Sequence, residues 1–277
     1  MSAPVPIVVK LGGELVENPE RLNTVVVAMA RVAKQGQALV IVHGAGKEID
    51  AALSAAGIDR RQVDGLRITD DRTLDVVVAV LGAVNTRLVA ALAAEGLAAV
   101  GLTGADGRCG PAEQAPPHRT VDGRLVDLGR VGIPSEQGEP RLVSVLVENA
   151  FVPVIACIGI GSDGGLFNVN ADTFAAHLSA RIKARRLVIA GTTPGVLDEA
   201  GATISTIDAP AVARLIQAGT ATSGMIAKLR ACEAALARGA GDVVIVDGRD
   251  GRALEGAALG AIPETATRMV AFEQIRT

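Results

Sequence analysis

The chain has 277 residues, 49% of them hydrophobic and 21% charged, a balance that excludes a disordered chain and suffices for one large α/β domain or two lobes around an ordinary core. A net charge of −3 argues against a nucleic-acid face, which needs clustered Lys and Arg. Aromatics make up 1%, with no Trp and no Tyr, so the stacking platforms of single-strand binders are missing and the core must be built from Ala, Val, Leu and Ile.

"VPIVVK" (5–10) is a β-branched run that reads as a buried strand, ended by Gly12-Gly13. Residues 18–36 carry an Asn cap, a Pro at the first helical position, an early Glu and a Gly stop, and so predict a helix. "QALVIV" (37–42) is a second buried strand. After His43-Gly44-Ala45-Gly46 a helix is expected to run to Gly57. This alternation predicts a three-layer αβα sandwich around a mainly parallel sheet.

Residues 60–69 suit a short hairpin arm, and 70–96 a long helix with little polar relief from Val76 to Val84. A helix so apolar is buried on several sides, against a core or another subunit. "LAAVGL" (97–102) is a third strand. Residues 105–140, polar and rich in Gly and Pro, read as a hairpin excursion. A helix (140–150) and a strand (151–160) follow. A second β/α series then comprises helix 171–182, strand 186–191, helices 209–218 and 225–238, and strand 242–248. No linker interrupts it. The expectation is one domain, 1–277, with an N-lobe 1–182 and a C-lobe 183–277.

Cys109, Cys157 and Cys232 are odd in number and far apart, without a CxxC, so they read as buried small hydrophobes in a reducing cytoplasm. His43, His118 and His177 lack metal-ligand spacing. The N-terminus has no basic region followed by an apolar stretch, so no signal peptide is read. No apolar run is read as long enough to cross a bilayer.

Four Gly-rich turns follow strands, at 12–13, 44–46, 101–107 and 159–165. In an open α/β sheet, ligands gather at the carboxyl ends of strands, where helix starts offer free N–H groups to an anion. Small residues let that backbone approach, so the turns suit an oxyanion, most simply phosphate. Gly46-Lys47 is followed by Glu48, so the P-loop pattern is absent. Gly159-x-Gly161-x-x-Gly164 opens no helix and is discounted.

Only five lysines are present: Lys10, Lys34, Lys47, Lys183 and Lys228. Lys10 ends a buried strand beside bare N–H groups, an odd place for a spectator, and Lys228 lies one turn inside a helix. Either could equally be a snorkelling surface Lys. Asn168, Asn170 and Asp172 stand at a helix start, where capping would account for one of them. Arg67 on the hairpin arm could grip a carboxylate with its fork, or be a solvated strand residue.

In order along the chain, "VVKLGG", "VIVHGAG", "GLRITD", "VGLTGADG", "LFNVNAD", "PGVLD" and "TSGMIAK" resemble the motifs of the amino acid kinase family, and within it the kinases that act on N-acetyl-L-glutamate. The resemblance implies ATP-dependent phosphorylation of that side-chain carboxylate, a step of arginine biosynthesis, with Mg²⁺ accompanying ATP. It implies Lys10 and Lys228 on the transferring phosphoryl group and Asp172 orienting both. Gly12 and Gly13, with Gly44 and Ala45 on the acceptor side, would hold the oxygens. Arg67 and Asn168 would bind the acetylated amino acid. Thr192, Thr193, Gly195, Val196, Leu197, Thr222, Ser223 and Gly224 would hold the nucleotide. Two positions depart from the family: Ala45 where Gly is usual, and Thr192 where Asp is common. A helical backbone at Ala45 is expected to make its methyl harmless. A start so close to the first strand implies an arginine-insensitive homodimer joined through the 70–96 helix, without nucleic-acid or membrane partners. A kinase for carrier-linked aminoadipate and a non-catalytic sensor on the same fold are the alternatives.

Overall fold

The computed structural model describes residues 4–120, 122–217 and 223–270, with the Ser223 side chain outside that description. An eight-stranded sheet runs through the core. Strand Ile7–Leu11 lies inside it, with Leu39–His43, Val152–Ala156 and Ala99–Thr103 to one side. Strands Arg186–Gly191, Val243–Asp247, Thr267–Met269 and Thr206–Ile207 lie to the other. All pairings are parallel except that of Val243–Asp247 with Thr267–Met269. The continuous Val/Ile/Leu runs follow from this: inner strands of a parallel sheet are covered on both faces. The sheet passes without a break from the first half of the chain to the second, because Lys10 sits in register with both Val42 and Ile189.

Side-chain alternation separates the two layers of helices. Lys10 points to the face covered by Ala171–Arg181, which packs against Ser223–Ala237. Leu11 and its partner His43 point to the opposite face. There Asn85, on helix Asp71–Ala94, donates to Val154 O (2.8 Å) and reaches His43 Nε2 (3.0 Å). Helix Pro19–Lys34 packs between that helix and Gly251–Leu259. A Cβ on Gly101 would stand 2.3 Å from Asn85 Oδ1, so the amide reaches the sheet only over a glycine.

Several expectations need correction. The strand expected over 151–160 breaks at Cys157: its second part, Ile158–Ile160, joins Leu166–Val169, Val131–Pro134 and Ala112–Gln114 in a separate four-stranded sheet. Residues 105–140 are therefore half of a second sheet, beyond a simple excursion. Gly161–Gly165 is the turn of an antiparallel hairpin, with Gly161 N–H bonded to Gly165 O at 2.7 Å, which accounts for its glycines. Helix Gly251–Leu259 and strand Thr267–Met269 were not anticipated. Finally, helix Asp71–Ala94 is long and apolar enough, by length and composition, to cross a bilayer. Here it serves as a layer of the fold, with Leu74, Val77, Leu81, Val84, Leu88 and Leu92 buried and Asn85 tied to the sheet.

Candidate active site

The first strand has its two neighbours on opposite sides, one from each half of the chain, so its carboxyl end is a topological switch point, where α/β sheets place their ligands. Lys10 is the residue that points there, and it is 8% exposed. Its Nζ lies 2.8 Å from Asp172 Oδ1, and Lys228 Nζ lies 3.2 Å from Asp172 Oδ2. Asp172 is held in place by helix geometry. Asn170 caps the helix Ala171–Arg181, accepting from the N–H groups of Asp172 (2.9 Å) and Thr173 (3.1 Å). The cap and the carboxylate thus have separate duties.

Electrostatics follow from two cations sharing one anion. Burial is the largest influence on Asp172 and favours its neutral form, but the charges of Lys10 and Lys228 and their hydrogen bonds together outweigh it, holding the carboxyl down to about 2. The ion-paired form therefore adds stability that is complete above the ordinary aspartate value of 3.8 and is lost as pH falls from there toward 2. Burial lowers the pKa of Lys228, the Lys10 charge lowers it further, and Asp172 offsets part of both.

Two strand-end turns face this triad. A Cβ on Gly13 would lie 2.9 Å from Gly46 N and 3.1 Å from Ala45 Cα, and one on Gly44 would lie 3.4 Å from Ala171 Cβ, beside the Asp172 helix. Among the described residues nothing hydrogen-bonds to the N–H groups of Gly13, Ala45 and Gly46. Gly12 lies against Ala190 and Gly191. Three amides without a partner among the described residues thus lie at the ends of the two strands, one of which carries Lys10, and such amides suit an anion.

Ala45 has φ −154° and ψ 50°, neither helical nor left-handed, so the helical expectation is wrong in detail. The methyl is harmless for a different reason: at negative φ it carries no strain, and it is buried in the core. An Ala45→Gly enzyme is expected to turn over within about threefold of the parent, since no left-handed strain of about 1–2 kcal/mol is there to relieve; steady-state kinetics check it.

Arg67 stands beside the second turn. Its Nη2 bonds to Asp50 Oδ1 and lies 3.4 Å from Gly46 O, while Nη1 is buried with no partner among the described residues. An unpaired buried guanidinium nitrogen is costly, and a carboxylate would satisfy it. Asn168 donates to Thr69 Oγ1 (3.1 Å), whose own hydroxyl bonds to Arg67 O, so the two residues meet through Thr69. On the other side, Thr192 donates to Glu14. Gly195 and Val196 are buried, and a Cβ on Gly195 would stand 2.3 Å from Thr267 Oγ1. Thr193, Leu197 and Gly224 are exposed. Thr222 lies outside the described residues.

Sequence reasoning missed Glu14, Glu17, Asp50 and the His43–Asn85 pair. Burial pushes His43 down to about 4, so at neutral pH its Nε2 accepts from Asn85. Ala45 offers no side-chain acceptor at the start of the second turn's helix, so its N–H groups must be satisfied from elsewhere, and Glu17 does this for Lys47 and Glu48.

Two lysines paired on one carboxylate at a switch point suit phosphoryl transfer. Residues 6–247 match the amino acid kinase family, and the chain belongs to it. Acetylglutamate kinases of Brucella abortus (strain S19) and Brucella anthropi are each 38% identical to it over 250 residues, covering 88% of this chain and 83% of theirs. Among solved structures, N-acetylglutamate synthase from Neisseria gonorrhoeae superposes with a TM-score of 0.81 at 23% identity, covering 96% of this chain and 59% of that one. Carbamate kinase from Giardia lamblia bound to AMP-PNP gives 0.71 at 15%, covering 98% and 100%. Those two likenesses show the fold. As a kinase of this family the chain uses ATP.

Proposed function

We propose that the chain transfers the γ-phosphoryl group of ATP to the side-chain carboxylate of N-acetyl-L-glutamate, a step of arginine biosynthesis. The observation that carries this reading is Asp172 holding Lys10 and Lys228 together beside the free amides of two Gly-rich turns. Kinship with acetylglutamate kinases supports the acceptor, and the unpaired Arg67 Nη1 fits its α-carboxylate.

A carboxyl with a pKa of about 4.3 is ionised at neutral pH, so it attacks phosphorus without a general base. As the new P–O bond forms, the bond from phosphorus to the β-phosphate oxygen breaks, and ADP leaves with the electron pair. Lys10, Lys228 and the N–H groups of Gly13, Ala45 and Gly46 stabilise the phosphoryl oxygens as charge shifts, and Asp172 keeps the ammonium groups aimed. The loop from Thr192 to Leu197, with Thr222–Gly224, takes the nucleotide. Mg²⁺ would enter with ATP, accompanying its phosphates. When bound, it neutralises phosphate charge.

Buried free cysteines fit a reducing compartment, and cytoplasmic action is part of the proposal. So is a homodimer: helix Asp71–Ala94 presents Ala79, Gly82, Ala83 and Ala90 outward, beside the sheet-edge strand Ala99–Thr103.

The test is ATP consumption with N-acetylglutamate, trapping the acyl phosphate with hydroxylamine, and with aminoadipate derivatives in parallel. Hydroxamate from N-acetylglutamate, with no labelled phosphoenzyme from γ-labelled ATP, is expected. Turnover only with an aminoadipate derivative would move the acceptor, and turnover with neither would favour a sensor.

A further inference from the structure

The short helix Gly13–Val16 carries Glu14, and Glu17 closes it as its C-cap. Both reach away from their own turn. Glu17 Oε1 accepts from the N–H groups of Lys47 (3.1 Å) and Glu48 (3.2 Å), in the first turn of helix Gly46–Ala55. These are two of the four donors that every helix start leaves free, and the ones a phosphate would seek at the positive end of the dipole. Glu14 divides its oxygens: Oε1 pairs with Lys47 Nζ at 2.7 Å, and Oε2 accepts from Thr192 Oγ1. Lys47, its hydrogen bond foremost, and Thr192 hold the Glu14 carboxyl below its usual range. The three loops so joined follow three adjacent strands, Arg186–Gly191, Ile7–Leu11 and Leu39–His43.

A carboxylate beside a polyanion's site opposes binding by charge, so its presence needs a compensating role. We propose that Glu14 and Glu17 are positioning residues. Glu17 occupies the inner amides of the second turn with a built-in carboxylate, which confines phosphoryl oxygens to the outer amides of Gly13, Ala45 and Gly46, within reach of the lysines. Glu14 fastens the nucleotide-side loop to the same turn. Gly13 follows from this as much as from phosphate, since a Cβ there would lie 2.9 Å from Glu17 Oε1. The inference rests on the kinase reading.

The test compares Glu17→Ala, Glu17→Gln, Glu14→Ala and the parent in AMP-PNP calorimetry, steady-state kinetics and amide exchange at Lys47 and Glu48. Glu17→Ala is expected to lose protection at both amides and about 10- to 100-fold in kcat/KM for ATP, with KM for N-acetylglutamate within about threefold. Glu17→Gln, whose amide oxygen accepts the same two bonds, regains most of both. Glu14→Ala weakens AMP-PNP binding without exposing the amides. Equal AMP-PNP affinity and kcat/KM in the parent and Glu17→Ala would overturn the clamp and leave the kinase reading standing. So would a thermal destabilisation of Glu17→Ala with unchanged kinetics, or no rescue by Glu17→Gln. A parent that binds no AMP-PNP would overturn both.

Discussion

Lys228→Ala is expected to lower kcat about a thousandfold, and Lys10→Ala at least as much, with KM for N-acetylglutamate moving less than about threefold. Each ammonium group stabilises charge that develops on the phosphoryl oxygens, so the loss falls on the transition state. Removing one oriented donor from such a site typically costs about 10²–10³ in rate. The variants also leave Asp172 with one partner instead of two. Arginine will not substitute, because a planar fork on a longer stem cannot occupy the position of a compact ammonium group packed at 2.8 Å from Asp172. The pH dependence has a definite sign. Lys228 titrates below the ordinary lysine value of 10.5 in the free enzyme, so the alkaline limb of the kcat/KM profile for ATP sets in below that value, as its proton leaves. Asp172 stays ionised down to about 2, so an acid limb above that value comes from the substrates, the acceptor carboxylate or the γ-phosphate of ATP. Rapid-quench measurement of the chemical step, with pH–rate profiles for the parent and both variants, checks this. A kcat within tenfold of the parent in either variant would remove that lysine from the mechanism.

For Arg67→Ala the expected result is the opposite split: KM for N-acetylglutamate rises about 50-fold while kcat changes little. The buried Nη1 has no partner among the described residues, and a charge-assisted hydrogen bond to a carboxylate is worth about 1.5–3 kcal/mol. The acetylated glutamate carries a second carboxylate remote from the reacting one, and binding it holds ground state and transition state equally. Asp50 already engages Nη2, so the fork is aimed before the substrate arrives. Arg67→Lys should recover little, because one ammonium cannot serve Asp50 and the substrate together. Kinetics with N-acetylglutamate and with its α-amide separate the two roles: the α-amide should bind poorly to the parent and almost as poorly to Arg67→Ala, whereas N-acetylglutamate loses affinity only in the variant. Unchanged KM in Arg67→Ala would assign the orphan nitrogen to packing.

How much of this was legible in the sequence depended on how local the cause was. Buried strands announced themselves as β-branched runs, and the helix Pro19–Lys34 through Asn18, Pro19 and Gly36. Lys10 was suspect because a cation rarely ends a buried strand next to Gly-Gly. Cys157 gave no local sign that one apolar run would serve two sheets; that break depends on pairing with strand Leu166–Val169. Glu14, Glu17 and Asp50 carry no local signal, since their partners lie elsewhere in the chain. Arg67 was ambiguous until burial left one of its nitrogens bare. The second sheet escaped notice because its strands are three or four residues long and interrupted by Gly and Pro.

The strand Ile7–Leu11 precedes the other strands of its sheet in the chain but lies inside that sheet, and one of its two neighbours, Arg186–Gly191, comes far later. On the ribosome, this apolar segment must wait with one edge bare until most of the polypeptide has emerged, and closing such a distant pairing is slow. The nascent protein thus passes through an interval of exposed backbone in which sticking to neighbours competes with maturation, and chaperone demand should concentrate there.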